Sequence, residues 1–176
     1  LPHATPNPNP TLTLRRWRPG DEAALWQLKY RTIHAINRAD YSAEQCAAWA
    51  PDDLDPQAWQ QRVAGMDPFV VELDGELAGF ADLQADGYID HFFCAAERQG
   101  CGVGRALMQH IHQLAQAQSL RRLYAQVSLT ARPFFEHVGF VVVSEQQLLV
   151  RGGVALKNFG MEKMLLISPS PAGDTP

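Results

Sequence analysis

Positive charge is in short supply: fifteen Lys and Arg face nineteen Asp and Glu, a net charge of −4. A surface that neutralises nucleic-acid phosphates needs a cationic excess, so broad nucleic-acid binding is not expected. Cysteine is scarcer still. Cys46, Cys94 and Cys101 are odd in number and form no CxxC pair, which argues against a disulfide framework or a zinc pattern and for a reducing compartment. No apolar run approaches the ~20 residues that a membrane-spanning helix needs. Leu1–Pro10 is rich in Pro and Asn and lacks the charged-then-apolar order of a secretory leader. It also lacks an initiator Met, which fits a processed or trimmed chain. A cytoplasmic protein without membrane or nucleic-acid partner is expected. HExxH and clustered acids are missing too, so no metal is expected; His110 and His112 are read as a solvated helix face.

What is present suffices for one domain: 176 residues, 46% of them apolar. Residues 1–11 and 168–176, dominated by Pro, Ser, Gly, Asn and Thr, are expected to be tails around a domain at 12–167. Between them strand and helix patterns alternate, which predicts an α/β layered fold. Thr11–Trp17 reads as a strand. Asp21 is a candidate cap for a helix with Leu25, Leu28, Thr32, Ile33 and Ile36 on one stripe. Ser42 and Gln45 match a capping box, and Asp55-Pro56 starts another helix. Asp74-Gly75 marks a hairpin between Phe69–Leu73 and Glu76–Leu83. Asp86-Gly87 turns the chain into a strand at Tyr88–Cys94. Val103, Leu107, Ile111, Leu114 and Ala115 recur at helical spacing. A strand at Leu123–Val127, a helix at Ala131–Val138 and an antiparallel pair at Phe140–Val150 and Val154–Ile167 complete the pattern.

Most informative is Glu97-Arg98-Gln99-Gly100-Cys101-Gly102-Val103-Gly104-Arg105, which joins a strand to an amphipathic helix. Its glycines allow a tight turn and close approach of a ligand to the backbone. Amides of a first helical turn lack internal partners and, with the helix dipole, suit a phosphate. Arg98 and Arg105 flank that turn where acids are the usual choice, which also points to an anion; the plainer alternative is surface arginines at a tight turn. There is no GxxxxGK[ST], and Gly100, Gly102 and Gly104 lack the final spacing of GxGxxG. Hairpins precede the loop, so neither nucleotide pattern fits.

Gln99-Gly100-Cys101-Gly102-Val103-Gly104 resembles instead the Q/R-x-x-G-x-G/A motif of the GNAT acetyltransferases. Leu14-Arg15 with Asp21, the hairpin at Phe69–Leu83, and Ala131-Arg132-Pro133-Phe134-Phe135-Glu136-His137-Val138-Gly139-Phe140 resemble further segments of that family in the same order. The resemblance spans residues 12–166. It implies an acyl-CoA N-acyltransferase fold: a mixed, mostly antiparallel central sheet flanked by helices. It further implies acetyl-CoA as co-substrate and transfer to a primary amine of a small molecule or peptide by direct attack in a ternary complex. Monomer and homodimer both stay open. An acyl-CoA-binding module with little catalysis is the alternative function, and a phosphotransferase a remote third.

By that resemblance, Gln99, Gly100, Cys101, Gly102, Val103, Gly104 and Arg105 cradle the CoA diphosphate, while Phe92, Phe93 and Cys94 offer main-chain contacts to the pantetheine arm. Ser128 stands where an Asn often meets that arm. Asp90 and His91 lie where the family often places a base. Adjacent strand residues face opposite sides, so one of the two is expected in the cleft unless a bulge intervenes, with Asp90 slightly preferred; pairing on the sheet surface is the alternative. Many relatives carry a Tyr that protonates the departing sulfur, but here that position is Phe135. Tyr124, Ser128 or a water is then the candidate donor, or the thiolate leaves unaided. Trp17, Trp26, Trp49 and Trp59, with Tyr30 and Tyr41, are read as core packing or walls of the acceptor pocket.

Overall fold

The structure is a computed structural model that describes residues 10–166. The expected tails therefore lie outside the described residues, except for Pro10 and Thr11. Thr11 is tied down: its N–H donates to Asp74 Oδ1 at 3.0 Å and its carbonyl accepts from Asp74 N at 2.9 Å.

Strand β1 (Leu12–Arg16) leads to three helices, α1 (Glu22–Ala35), α2 (Ala43–Trp49) and α3 (Pro56–Met66). The hairpin of β2 (Phe69–Leu73) and β3 (Glu76–Ala81) follows, then two short strands, β4 (Tyr88–Ile89) and β5 (Phe92–Cys94). Helix α4 (Val103–Ala117), strand β6 (Arg122–Ser128), helix α5 (Arg132–His137) and the pair β7 (Val141–Leu149) and β8 (Ala155–Met164) complete the chain. Among the described residues no helix is long and apolar enough to cross a membrane.

The strands form two four-stranded leaves, ordered β1-β2-β3-β5 and β4-β6-β8-β7. Every pairing is antiparallel except β4 with β6, so the mixed, mostly antiparallel expectation holds. Strand β2 is apolar at nearly every position because both of its faces are covered. Phe69, Val71 and Leu73 join Leu107 and Ile111 of α4 in one core, while Val70 joins Leu25, Leu28, Ile33 and Val63 in the other. The first leaf is thus sandwiched between α4 and α1–α3.

Two local expectations are met. Ser42 and Gln45 form the reciprocal capping box of α2, and Asp55 caps α3, which has Pro at its first position. Two others are corrected. The Asp21 carboxylate makes no cap bond to α1; it accepts from Arg15 Nη1 and Arg18 N, both at 2.8 Å, because a charged guanidinium is the stronger donor.

The second correction shapes the molecule. Tyr88–Cys94 is two strands, one in each leaf, interrupted at Asp90-His91. The cause is Asp82, just past β3, whose Oδ1 accepts the N–H of Asp90 at 3.0 Å and of His91 at 2.6 Å. Those donors are taken from the ladder, so the chain leaves β6 and joins β3. The same carboxylate ends β3 at Ala81, short of the expected Leu83.

Gly79 lets α4 sit close under β3: a Cβ there would stand 2.6 Å from Val103 Cγ1 and 3.0 Å from the Phe93 carbonyl oxygen. Gly79→Ala is therefore expected to lower unfolding free energy by about 1–3 kcal/mol, measured by urea denaturation. An unchanged midpoint would show that α4 is free to shift.

Candidate active site

Where β5 parts from β6 a cavity of about 890 Å³ opens. At one end lies the start of α4. Gly102, its N-cap, has φ 83° and offers no capping side chain, and no acid stands in the first turn. That φ belongs to the left-handed region open to glycine. The first internal bond is Ala106 N to the Gly102 carbonyl at 3.0 Å, which leaves the amides of Val103, Gly104 and Arg105 without intrahelical partners. A Cβ on Gly100 or Gly102 would meet nothing within 4 Å. Arg98 and Arg105 both line this end. Arg98 has a partner, Glu76 Oε2 at 2.9 Å, whereas no ion pair of Arg105 is found among the described residues.

Along the middle runs the free edge of β5. His91 O accepts from Asp82 N and Ala95 N donates to Ala78 O, so the odd residues face β3 and alternation turns the N–H groups of Phe92 and Cys94 toward the cavity. The Cys94 carbonyl is held by Thr32 Oγ1 at 2.9 Å and Gln99 Nε2 at 3.2 Å. Gln99 also reaches the Ala95 carbonyl at 3.1 Å, so its side chain braces the loop. Opposite, Ser128 Oγ accepts from Ala131 N at 3.1 Å and lines the cavity. Burial pushes the Cys94 thiol up to about 12, which makes it inert packing.

At the far end Asp90 and His91 both line the cavity, an outcome the strand break permits. His91 is buried, with Nδ1 3.1 Å from Asp90 Oδ2 in a bent contact and Nε2 3.3 Å from Lys29 Nζ. Asp90 also meets Arg62 Nη2 at 2.8 Å. Its hydrogen bond with His91, with Arg62 and Lys29 nearby, holds its pKa down to about 2 against the cost of burial. Burial depresses His91 to about 4 despite Asp90. Burial likewise lowers Lys29 to about 8, helped by Arg62 and opposed by Asp90. Asp82, fully buried, is raised to about 6, chiefly by burial.

The other expected residues divide between the cavity, the core and the surface. Tyr124 lies outside the cavity lining; its hydroxyl donates to Asp86 and its ring stacks under Arg122. Cys101 is exposed and also off the lining. Phe135 is buried but lines the cavity, edge-on to Phe92 and Phe140. His110 and His112 are half-buried: the first packs edge-on against Phe69, and the second bonds the Met108 carbonyl through Nδ1. Trp26 and Trp59 stack edge-to-face in the core, while Trp49 and Tyr41 wall the cavity.

Two functional candidates escape sequence reasoning. Lys29 carried one signal, a cation four residues after Leu25 and four before Ile33 on the buried stripe of α1. Asn158 carried none: it is buried on the lining and its Oδ1 has no donor.

The family model of the acetyltransferase (GNAT) domain matches residues 37–163, well over half of the chain. The chain belongs to the GNAT acetyltransferase family. It is 30% identical over 141 residues to the uncharacterized N-acetyltransferase YafP of Escherichia coli, covering 80% of this chain and 89% of that protein. The GCN5-related N-acetyltransferase of Rhodopseudomonas palustris superposes with a TM-score of 0.83 at 30% identity over 88% of this chain and 96% of its own. The structure of yncA from Salmonella typhimurium with its cofactor acetyl-CoA shares the fold, with a TM-score of 0.65, 18% identity and coverage of 93% and 99%. In this GNAT N-acetyltransferase the open start of α4 and the parted strands β5 and β6 belong to one cavity.

The same corner sets a pH response. Between pH 3.8 and about 6 native Asp82 holds a proton that the unfolded chain has lost, so its contribution to stability falls as pH rises. Between about 4 and 6.5 the unfolded chain protonates His91 while the native state does not, so that contribution rises. The two oppose over nearly the same window, each by roughly 3 kcal/mol. His91→Gln should therefore lose stability as pH is raised from about 4 to about 6, followed by thermal unfolding across that range. A curve parallel to wild type would refute the opposition.

Proposed function

We propose that this enzyme moves the acetyl group of acetyl-CoA to a primary amine of a small molecule or peptide by direct attack within a ternary complex. The observation that supports this reading is continuity: one cavity joins unpartnered helix-start amides, a strand edge with free N–H groups, and a polar wall of titratable side chains. The residues fit the cofactor. The amides of Gly102, Val103, Gly104 and Arg105 would hold the diphosphate, with Arg105 and Arg98 adding positive charge. Along the arm, Phe92 and Cys94 would contribute main-chain N–H groups and Ser128 its hydroxyl, whereas the Phe93 main chain, expected to contribute as well, faces β3 and pairs with Phe80.

Acetyl-CoA supplies an activated thioester when bound. The N–H groups of Phe92 and Cys94 would polarise its carbonyl, the role of preorganised donors in acyl transfer. Phe135 has no proton to give and Tyr124 faces elsewhere, so we assign departure of the sulfur as thiolate, tolerable for a thiol with a pKa near 8.5. Neither Asp90 nor His91 suits removal of an amine proton, because both conjugate acids are far stronger than an alkylammonium. We assign them to holding the wall. Trp49, Tyr41, Asn37 and Asn158 would enclose the acceptor, and the Asn158 Oδ1 would accept one of its N–H groups. The three thiols are free, consistent with the reducing cytoplasm we propose as its setting.

Gly102→Glu places a carboxylate at the diphosphate position and is expected to weaken coenzyme A binding at least ~100-fold by calorimetry. Gly102→Asn, which tolerates the left-handed backbone, should retain affinity within about tenfold of wild type. Equal affinity in wild type and the Glu variant would remove the diphosphate from this loop.

A further inference from the structure

Lys29 is a cation in an apolar cage, without a carboxylate of its own. Its Nζ stands 5.3 Å from the ring centre of Trp59, 5.5 Å from Phe93 and 5.7 Å from Trp26. The nearby Asp90 carboxylate is engaged by Arg62 and His91, and no ion pair of Lys29 is found among the described residues. An ammonium has three N–H donors. One points to His91 Nε2, and the side chain lines the cavity, where the others can meet a ligand. When Lys29 is the ammonium it can only donate, so a neutral His91 accepts at Nε2 and carries its proton on Nδ1, on the side of Asp90. The chain of contacts thus runs from the cavity through Lys29 and His91 to Asp90 and, beyond it, Arg62.

We propose that Lys29 is the proton acceptor for the incoming amine, with His91 and Asp90 as its positioning residues. This rests on the reading of the cavity as the site of acetyl-CoA and amine. An alkylammonium acceptor gives one proton to the neutral Lys29 amine. The freed lone pair forms the C–N bond to the acetyl carbon as the C–S bond breaks; the sulfur leaves as thiolate, and the second proton shed by that nitrogen passes to solvent. Lys29 then returns its proton to solvent through the cavity mouth.

Competing groups are unsuited. Asp90 and His91 are too weakly basic, and Tyr88, raised to about 12 mainly by burial, keeps its proton at neutral pH. The charged and titratable neighbours of Lys29 are Arg62 of α3, Asp90 and His91 at the strand break, and Tyr88 of β4 beside Asp90. Burial and Arg62 favour neutral Lys29 while Asp90 favours the ammonium, leaving it near 8, a value suited to accepting and releasing a proton near neutrality. The aromatic faces stabilise the ammonium once it forms.

The chain has three lysines, Lys29, Lys157 and Lys163, so 13Cε-lysine labelling gives a simple spectrum. The signal missing from Lys29→Met should titrate with a midpoint about 8 in the free enzyme, and lower in Asp90→Asn, which removes the carboxylate that favours the ammonium. A midpoint near the ordinary ~10.4 overturns the proposal. This titration decides whether or not a probe amine is turned over. With benzylamine, protonated at pH 7, Lys29→Met and Lys29→Arg should both lower kcat/KM at least ~100-fold and lose the rise in rate through about pH 8. Aniline, already neutral there, should lose less than about tenfold. Full activity in the Arg variant would make Lys29 an anion anchor and overturn the proposal. Coenzyme A affinity, measured alongside, separates the two readings: absent binding in wild type refutes the cavity assignment, whereas intact binding with an ordinary Lys29 titration refutes the base alone.

Discussion

One carboxylate holding two neighbouring backbone amides sets the shape of this enzyme. Asp82 is fully buried, and its Oδ1 accepts from both Asp90 and His91, while Gln84 donates to its other oxygen. Buried amides without partners cost on the order of 1–3 kcal/mol each, and a buried carboxylate without donors costs more. Each need answers the other. With those amides turned to Asp82, the chain cannot continue along β6, so β4 stays in one leaf and β5 crosses to the other. The cavity is the space this crossing leaves.

The same corner sets the electrostatics of the wall. Packing His91 against Phe80 and Trp59 keeps it neutral, and a neutral imidazole is a good acceptor for Lys29. Asp90, half in solvent and paired with Arg62, stays ionised and tempers the desolvation of the lysine. In the proposed mechanism, anion binding and proton handling fall to different parts of one cavity, the first on backbone amides of α4 and the second on side chains from α1, α3 and the strand break. The cation that depresses Lys29 is Arg62, while Arg98 and Arg105 are not among the groups that shift it.

Much of this was legible in the sequence, for local reasons. The capping box at Ser42 and Gln45, the turn at Asp74-Gly75, and the glycine run before Val103 are each decided by a few adjacent residues, and each appears as expected. The interruption at Asp90-His91 was not legible, because Tyr88–Cys94 alternates like one strand and Asp82 acts from eight or nine residues away. Asp21 showed the reverse: a residue suited to capping was claimed by Arg15 of β1. Lys29 needed Trp59 from α3, Phe93 from β5 and His91 from the break before its surroundings could be recognised. Such environments are tertiary products, and helical periodicity records only the odd placement of a charge on an apolar stripe.

The central claim is that the crossing of β5 creates a cradle for coenzyme A between the start of α4 and the parted strands. Diffraction from crystals soaked with coenzyme A tests it most directly. The account predicts diphosphate oxygens ~3 Å from the amides of Gly102 to Arg105 and the thiol lying between β5 and β6. A diphosphate bound elsewhere on the protein, with that helix start left free, would contradict it.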